Sequence, residues 1–193
     1  KLTDYVVTEA GFATDLGAEK FFDIKCRIAG LNPSAVVIVA TIKAIKYHGW
    51  KNENGGFENL EKHVENIQQF GIEPIIAINR FDDDTEEDIN EVINHFANLG
   101  IKAIVASHYA NGGAGALELA EAVIESTVKH NDNCIKFQYP LEMPIKEKIR
   151  TLARNLYGAD DVEFAAKAIS DIELIERHGY GNIPICIAKS SKS

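Results

Sequence analysis

Short runs of apolar and β-branched residues alternate along this chain with longer segments in which apolar residues recur at helical spacing. Continuous apolar runs are typical of strands covered on both faces, and the spaced apolar residues indicate amphipathic helices between them. We predict strands at 5–7, 35–41, 73–79, 101–106, 137–141 and 183–188, and helices at 43–49, 57–70, 84–98, 112–130, 143–157 and 162–178. The alternation predicts an α/β fold with a mostly parallel sheet flanked by helices.

The first predicted strand leads into a glycine-bearing turn and then a helix. Thr14 or Asp15 is expected to cap the helix, and Thr85 or Asp84 to cap the helix that ends near Asn98. One apolar face of the N-terminal helix is predicted, formed by Leu16, Phe21, Ile24 and Ile28. Such strand-turn-helix corners are where α/β proteins place ligand sites.

Ligands of open parallel sheets bind beyond the carboxyl ends of the strands. Those ends are predicted at Glu9–Phe12, Thr41, Asn79–Asp82 and Ser107–Tyr109. We therefore expect the functional side chains to lie in these four short segments.

Length and composition indicate how the chain is divided into domains. The 193 residues suffice for one or two domains, and the character of the chain changes after His130. We predict a sheet domain at 1–130 and a smaller C-terminal α/β segment at 131–193. Because the chain opens on Lys1 and leads directly into a strand, we expect it to be a fragment of something longer.

The net charge of -9 argues against nucleic acid or an anionic membrane as a partner. The chain has no apolar run of about 18 residues and no cationic leader, so neither a transmembrane helix nor a signal peptide is expected. Cys26, Cys134 and Cys186 form no CxxC pair, which predicts buried thiols in a reducing compartment, the cytoplasm.

Several local motifs have a structural and a functional interpretation. The chain has no Gly-x-x-x-x-Gly-Lys-Ser/Thr phosphate loop, and the glycines at 113 and 115 lack the rest of a dinucleotide fingerprint. The glycines at 112–115 either bind an anion at a helix start or only make a turn. The run of aspartates at 82–84 is interpreted as a solvated loop in preference to a metal cluster. His108 has no second metal ligand at a suitable spacing.

The exact residue sequence of the N-terminal strand-turn-helix segment is more specific than its pattern of apolar and polar positions. Residues 9–27, Glu-Ala-Gly-Phe-Ala-Thr-Asp-Leu-Gly-Ala-Glu-Lys-Phe-Phe-Asp-Ile-Lys-Cys-Arg, resemble a segment of the formate–tetrahydrofolate ligases. Residues 39–49 resemble a second signature of that family, with Lys43, Ile45 and Trp50 departing from it and a short loop following Gly49. The resemblance continues through 59–67, 77–81, 84–85, 156–160 and 179–189, with Asp82 where the family often has proline.

This resemblance implies an ATP-dependent ligase with a sheet of the three-layer, P-loop-NTPase type. In that family formate attacks the γ-phosphate of MgATP to give formyl phosphate, and N10 of tetrahydrofolate then takes the formyl group. The family is a homotetramer, and its phosphate-binding loop lies upstream of the segment matched here. We therefore expect this chain to be inactive alone; a non-catalytic binding or assembly module built on the ligase scaffold is the alternative.

The resemblance also implies a folate pocket. Phe12 matches a phenylalanine that lines the pocket, and Phe81 an aromatic residue that stacks on the pterin ring. Tyr109 stands where the bacterial enzymes have a tryptophan, and Val105 where they have a leucine. From the residues alone, core residues at strand ends are the favoured interpretation of Phe12 and Phe81, because most aromatic side chains serve packing.

Overall fold

The computed structural model describes residues 3–51, 56–129 and 135–188, which form two compact units. The terminal unit combines Lys1–Leu31 with Lys136–Ser193, and the sheet unit is Asn32–Ile135. The chain thus leaves the terminal unit once, forms the sheet unit, and returns.

The strands are β1 (Val36–Ala40), β2 (Pro74–Asn79) and β3 (Ala103–Ala106). The α-helices are α1 (Arg27–Ala29), α2 (Ile42–Tyr47), α3 (Glu58–Gln69), α4 (Glu86–Asn98), α5 (His108–Asn111), α6 (Leu117–Lys129), α7 (Ile145–Tyr157) and α8 (Ala166–Arg177). Two π-helical segments, Ala13–Ala18 and Phe21–Cys26, precede α1, and a 3-10 turn, Gly112–Ala116, precedes α6. No helix in the described ranges is long and apolar enough to cross a membrane.

The three strands form one parallel sheet in the order β1-β2-β3. Ile76 of the central strand pairs with Ile38 on one side, and Ile78 pairs with Val105 on the other. All residues of β2 before Asn79 are buried, as expected for a strand covered on both faces. The predicted α/β class and the strands predicted at 35–41, 73–79 and 101–106 are confirmed.

The core of the sheet unit is apolar. Ile76, Ile78, Val92 and Phe96 are each 0% exposed and belong to one cluster under α3 and α4. The hydroxyl of Thr85 accepts a hydrogen bond from the backbone N–H of Asp88 at 3.2 Å, which caps α4. The helices predicted in this part of the chain are confirmed as α2, α3, α4 and α6.

Trp50, which departs from the family signature, is a core residue of the sheet unit. Its side chain is 4% exposed, and its ring centroid lies 5.1 Å from that of Phe57. The indole N–H donates to Oε1 of Glu91 at 3.1 Å. Tryptophan at this position therefore closes the end of the core beside α4.

The N-terminal helix of the terminal unit is wound more widely than predicted. Buried residues recur every four positions, at Thr14, Ala18, Phe22 and Cys26, and the neighbouring Glu19 and Asp23 are buried as well. The predicted apolar face is wrong at Ile28, which is 73% exposed, whereas Leu16, Phe21 and Ile24 are partly buried. The π winding shifts the inward face. Phe12 occupies the N-cap position, so the prediction of Thr14 or Asp15 as the cap is also wrong.

In the described part of the terminal unit, the helices predicted at 143–157 and 162–178 are confirmed as α7 and α8, but the strands predicted at 5–7, 137–141 and 183–188 are wrong. Side chains form hydrogen bonds with backbone groups that would otherwise pair with a neighbouring strand. Asp23 accepts from the N–H of Gln138, and the Lys148 ammonium donates to the carbonyl of Ile183. Val6 and Val7 are 82% and 94% exposed and pair with no described strand.

Both described cysteines carry free thiols. Cys26 is buried, as predicted, but Cys186 is exposed, so the prediction of a buried thiol is wrong there. Cys134 lies outside the described residues.

Candidate functional site

The carboxyl ends of β2 and β3 are neighbours because the two strands pair in parallel, with Asn79 opposite Ala106. Phe81 follows the end of β2 by two residues, and Tyr109 follows the end of β3 by three. The structure therefore places these two predicted folate residues at the same edge of one sheet.

Phe81 is held by a tight turn at the end of β2. Oδ2 of Asp84 accepts from the N–H of Phe81 at 2.8 Å, and the carbonyl of Phe81 accepts from the N–H of Asp84 at 3.1 Å. Asp84 therefore caps this turn, whereas Thr85 caps α4. The Phe81 ring is 48% exposed, so in this structure it is not a core residue. No group of three or more His, Cys, Asp or Glu residues in the described ranges could hold a metal ion.

Tyr109 lies in the short helix α5, whose loop is folded tightly back on itself. The N–H of Ser107 donates to the carbonyl of Gly115 at 3.0 Å, and the Asn111 side chain donates to Oγ of Ser107 at 3.0 Å. A Cβ on Gly115 would lie 2.6 Å from the Ser107 carbonyl carbon, so this glycine serves the close approach of two backbone segments. The loop leaves the Tyr109 ring 90% exposed.

Val105 differs from the two aromatic residues. It lies within β3, is partly buried, and packs against the apolar core of the sheet unit. Its environment suits a residue that supports the strand beneath a ligand rather than one exposed to it.

Phe12 lies in the terminal unit, immediately before the first π-helical segment. Its backbone is extended, with φ -68° and ψ 139°, and it stands between Gly11 at φ 89° and Ala13 at φ 56°. Its carbonyl accepts from the N–H of Gly17 at 2.9 Å. The Phe12 side chain is 91% exposed, so it is not a core residue in this structure either.

Phe12 and Tyr109 are the two most exposed aromatic side chains among the described residues. Exposure of a phenylalanine is costly because about 25 cal/mol is lost for each Å² of apolar surface left in water. Their exposed faces are available for stacking on a planar ring.

Sequence reasoning missed two buried carboxylates of the N-terminal helix, Glu19 between the two π-helical segments and Asp23 in the second. Glu19 is 1% exposed, and neither of its oxygens has a hydrogen-bond partner among the described residues. Burial, reinforced by the negative charge of Asp23, raises the pKa of Glu19 to about 7. The only available signal was the spacing of four residues between Glu19, Asp23 and Arg27, which matches the spacing of the buried face.

Asp23 is 0% exposed and is better satisfied than Glu19. Its Oδ1 accepts from the N–H of Gln138 at 3.0 Å and from the Arg27 guanidinium at 3.1 Å. Burial nevertheless raises the pKa of Asp23 to about 6, against the lowering effect of the Gln138 hydrogen bond and the Arg27 charge. The two carboxyl groups can therefore take up and release protons near neutral pH.

A cavity of about 160 Å³ opens elsewhere in the sheet unit, between β1, α2 and the start of α3. Its lining combines apolar side chains with two imidazoles: Ile38, Ala40, Ile45, Leu60, His48 and His63. None of the four predicted folate residues lines it. We therefore base the candidate site on the sheet edge and not on this cavity.

Comparison with known proteins places the chain in one family. The family model described as formate–tetrahydrofolate ligase matches residues 1–193. The chain is 45% identical to the formate–tetrahydrofolate ligase of Granulibacter bethesdensis and 47% identical to that of Pelagibacter ubique. Each match covers 100% of this chain and 36% of the relative, so the chain spans about a third of the length of these relatives.

Proposed function

The chain belongs to the formate–tetrahydrofolate ligase family, and we propose that it forms the folate-binding part of an ATP-dependent ligase that makes 10-formyltetrahydrofolate from formate and tetrahydrofolate. The observation that carries this proposal is the family match over all 193 residues. The exposure of Phe12, Phe81 and Tyr109 supports it, because a planar pterin is bound best between aromatic faces.

The proposed roles of the site residues follow from their positions. Phe81 and Tyr109 would stack against the pterin ring at the carboxyl edge of the sheet, where α/β proteins bind ligands. Val105 would support this edge from within β3. Phe12 would add an apolar contact from the turn in which it is held.

We propose that the ligase reaction proceeds through formyl phosphate, with ATP as the phosphoryl donor and magnesium bound to it. Phosphoryl transfer requires cations and backbone amides around the phosphate oxygens. The chain has no Walker A sequence, so we assign none of its residues to the phosphates or to magnesium. On this basis the 193-residue chain alone would not catalyse the reaction, and on the resemblance alone the complete ligase would be a homo-oligomer.

Calorimetric titration of tetrahydrofolate into the chain tests the folate site. Native protein is compared with the Phe81→Ala, Tyr109→Ala double variant and with Tyr180→Ala, a control that removes a 60% exposed aromatic ring from the turn after α8. We expect the double variant to weaken binding by roughly tenfold or more, since each stacked ring contributes about 1–3 kcal/mol. The Tyr180→Ala control should bind like the native chain.

The other outcomes are equally informative. Undiminished binding by the double variant would move the folate site away from the sheet edge. Absence of binding by the native chain would favour a non-catalytic assembly module on the ligase scaffold. Formate-dependent release of ADP by the purified 193-residue chain would contradict the proposed inactivity.

A further inference from the structure

The turn that carries Phe12 has an unusual backbone. Gly11 and Ala13, on either side of Phe12, both have left-handed φ values, 89° and 56°. Glycine adopts such angles freely, but alanine does so at a cost, and strain of this kind persists only where the surrounding structure enforces it. The Phe12 turn must therefore be held by contacts outside the three residues.

Gly17 supplies those contacts. Its N–H donates to the carbonyl of Phe12 at 2.9 Å, which closes the turn onto the first π-helical segment. A Cβ at this position would lie 2.4 Å from the carbonyl oxygen of Ala10, 2.7 Å from the carbonyl carbon of Gly11 and 2.9 Å from the carbonyl oxygen of Phe12. All three contacts are with backbone atoms, so no side-chain movement could make room for a methyl group.

The segment that carries Gly17 is itself anchored within the terminal unit. The hydroxyl of Tyr157, on α7, donates to the backbone carbonyl of Asp15 at 2.7 Å. Burial raises the pKa of Tyr157 to about 12, so this donor keeps its proton at physiological pH. Ala18, beside Gly17, is buried. The backbone of Phe12 is thus held in place although its side chain is 91% exposed.

We propose that Gly17 is a positioning residue for folate binding, which it serves by fixing the backbone of Phe12 so that the direction in which this side chain leaves the turn is set before the ligand arrives. This inference rests on the proposed function, because it assigns to Gly17 an effect that acts through Phe12. Orientation in advance strengthens binding because the ligand does not have to order the turn.

A double-mutant cycle tests the dependence on Phe12. Tetrahydrofolate affinity is measured by calorimetry for the native chain, Phe12→Ala, Gly17→Ala and the double variant. Gly181→Ala is the matched control, because its added Cβ would meet only the Cγ of Glu176, at 3.8 Å. We expect each single variant to weaken binding by roughly fivefold to tenfold, and the double variant to be no weaker than Phe12→Ala alone.

A second measurement needs no ligand. Exchange of the residue 17 amide is followed by NMR, together with the chemical shifts of residues 10–13. In the native chain and in Gly181→Ala the amide should be protected by its bond to the Phe12 carbonyl. In Gly17→Ala that protection should be lost while the amides of α7 and α8 remain protected, which shows a local opening and not global unfolding.

Either measurement can overturn the inference. A Gly17→Ala variant that keeps the protected amide and native shifts would show that the turn does not depend on Gly17. Fully multiplicative losses in the cycle would show that Gly17 acts independently of Phe12. If the native chain binds no tetrahydrofolate, the proposed function fails, and the exchange experiment alone decides whether Gly17 fixes the Phe12 turn.

Discussion

The interiors of the two units are built from different chemistry. The sheet unit buries isoleucine, valine and phenylalanine side chains in one cluster, and its buried Asp88 is paired with the ammonium groups of Lys46 at 2.6 Å and Lys51 at 2.5 Å. The terminal unit buries Glu19 without a hydrogen-bond partner in the described structure, and it also buries Asp23 and Lys148. The sheet unit thus pairs its buried carboxylate beside an apolar core, whereas the terminal unit buries titratable groups among its apolar side chains.

The difference teaches where each unit gets its stability. An apolar core contributes through area removed from water, which does not change with pH. A buried carboxyl group without a partner is tolerated when protonated and costly when ionised. We therefore expect only the terminal unit to lose stability as the pH rises through neutrality.

Phe96→Ala should have the largest effect on the sheet unit. The ring is 0% exposed, lies edge-on to Phe57 at 5.8 Å between centroids, and belongs to the main core cluster. Its removal should lower the free energy of unfolding of this unit by about 3–5 kcal/mol, through lost burial and the cavity left behind. Urea denaturation followed by fluorescence measures it, since Trp50, the single tryptophan, lies in the same cluster.

Leu99→Ala is the matched control for this variant, because it truncates a side chain that is 56% exposed at the end of the same helix. It should cost less than about 1 kcal/mol. Equal effects of the two truncations would mean that the apolar cluster does not dominate the stability of the sheet unit.

The pH dependence of the terminal unit is the next largest effect. Burial raises the pKa of Glu19 from the ordinary 4.5 to about 7 in the folded chain. The negative charge of Asp23 raises this pKa further, and the positive charge of Lys20 lowers it. The charge of Glu19 in turn raises the pKa values of Tyr139 and Tyr157. The folded state therefore binds the proton more tightly than the unfolded state. The contribution of Glu19 to the stability of the folded state is fully present below pH 4.5 and is lost as the pH rises through about 7.

The expected loss is on the order of 2–3 kcal/mol between pH 4.5 and 8, with Asp23 acting in the same direction. Amide exchange in α7 at pH 5 and pH 8, corrected for intrinsic rates, measures it. Glu19→Gln should remove most of the dependence, and Glu163→Gln, outside the buried pair, should leave it intact. The sheet unit should change little, because the lysines keep the pKa of Asp88 well below this range. A terminal unit equally stable at both pH values would refute this assignment.

The same contrast explains what the sequence could predict. The strands of the sheet unit are continuous apolar runs covered on both faces, a local pattern, and β1, β2 and β3 were all found from it. The runs at 137–141 and 183–188 look similar but form no strand among the described residues. Strand pairing is non-local, and here the side chains of Asp23, Arg27, Lys148 and Tyr139 bind the backbone groups instead.

The candidate site was predictable to a different extent. The rule for parallel sheets, together with the family resemblance, pointed to Phe81 and Tyr109, and the structure puts both after neighbouring strands. The role of Gly17 was not predictable, because it depends on the 2.4 Å approach of its missing Cβ to the carbonyl of Ala10. Burial of Glu19 was missed because periodicity identifies apolar faces and passes over charged residues on the same face.

The smallest expected difference in stability between the units comes from side-chain capping at the N-termini of their helices. The hydroxyl of Thr85 caps α4 in the sheet unit, whereas the first π-helical segment of the terminal unit begins at Ala13, after Phe12, with no side-chain cap. Thr85→Ala should lower the stability of the sheet unit by about 1 kcal/mol, because the N–H of Asp88 loses its acceptor. Thr127→Ala, in the last turn of α6, makes the same chemical change but removes a hydroxyl that only donates, to the carbonyl of Ile124 at 2.7 Å, so no backbone N–H loses its acceptor and the cost should be less than about 0.5 kcal/mol. Urea titration monitored by Trp50 distinguishes the two variants, and equal costs would show that the Thr85 hydroxyl does not stabilise the start of α4.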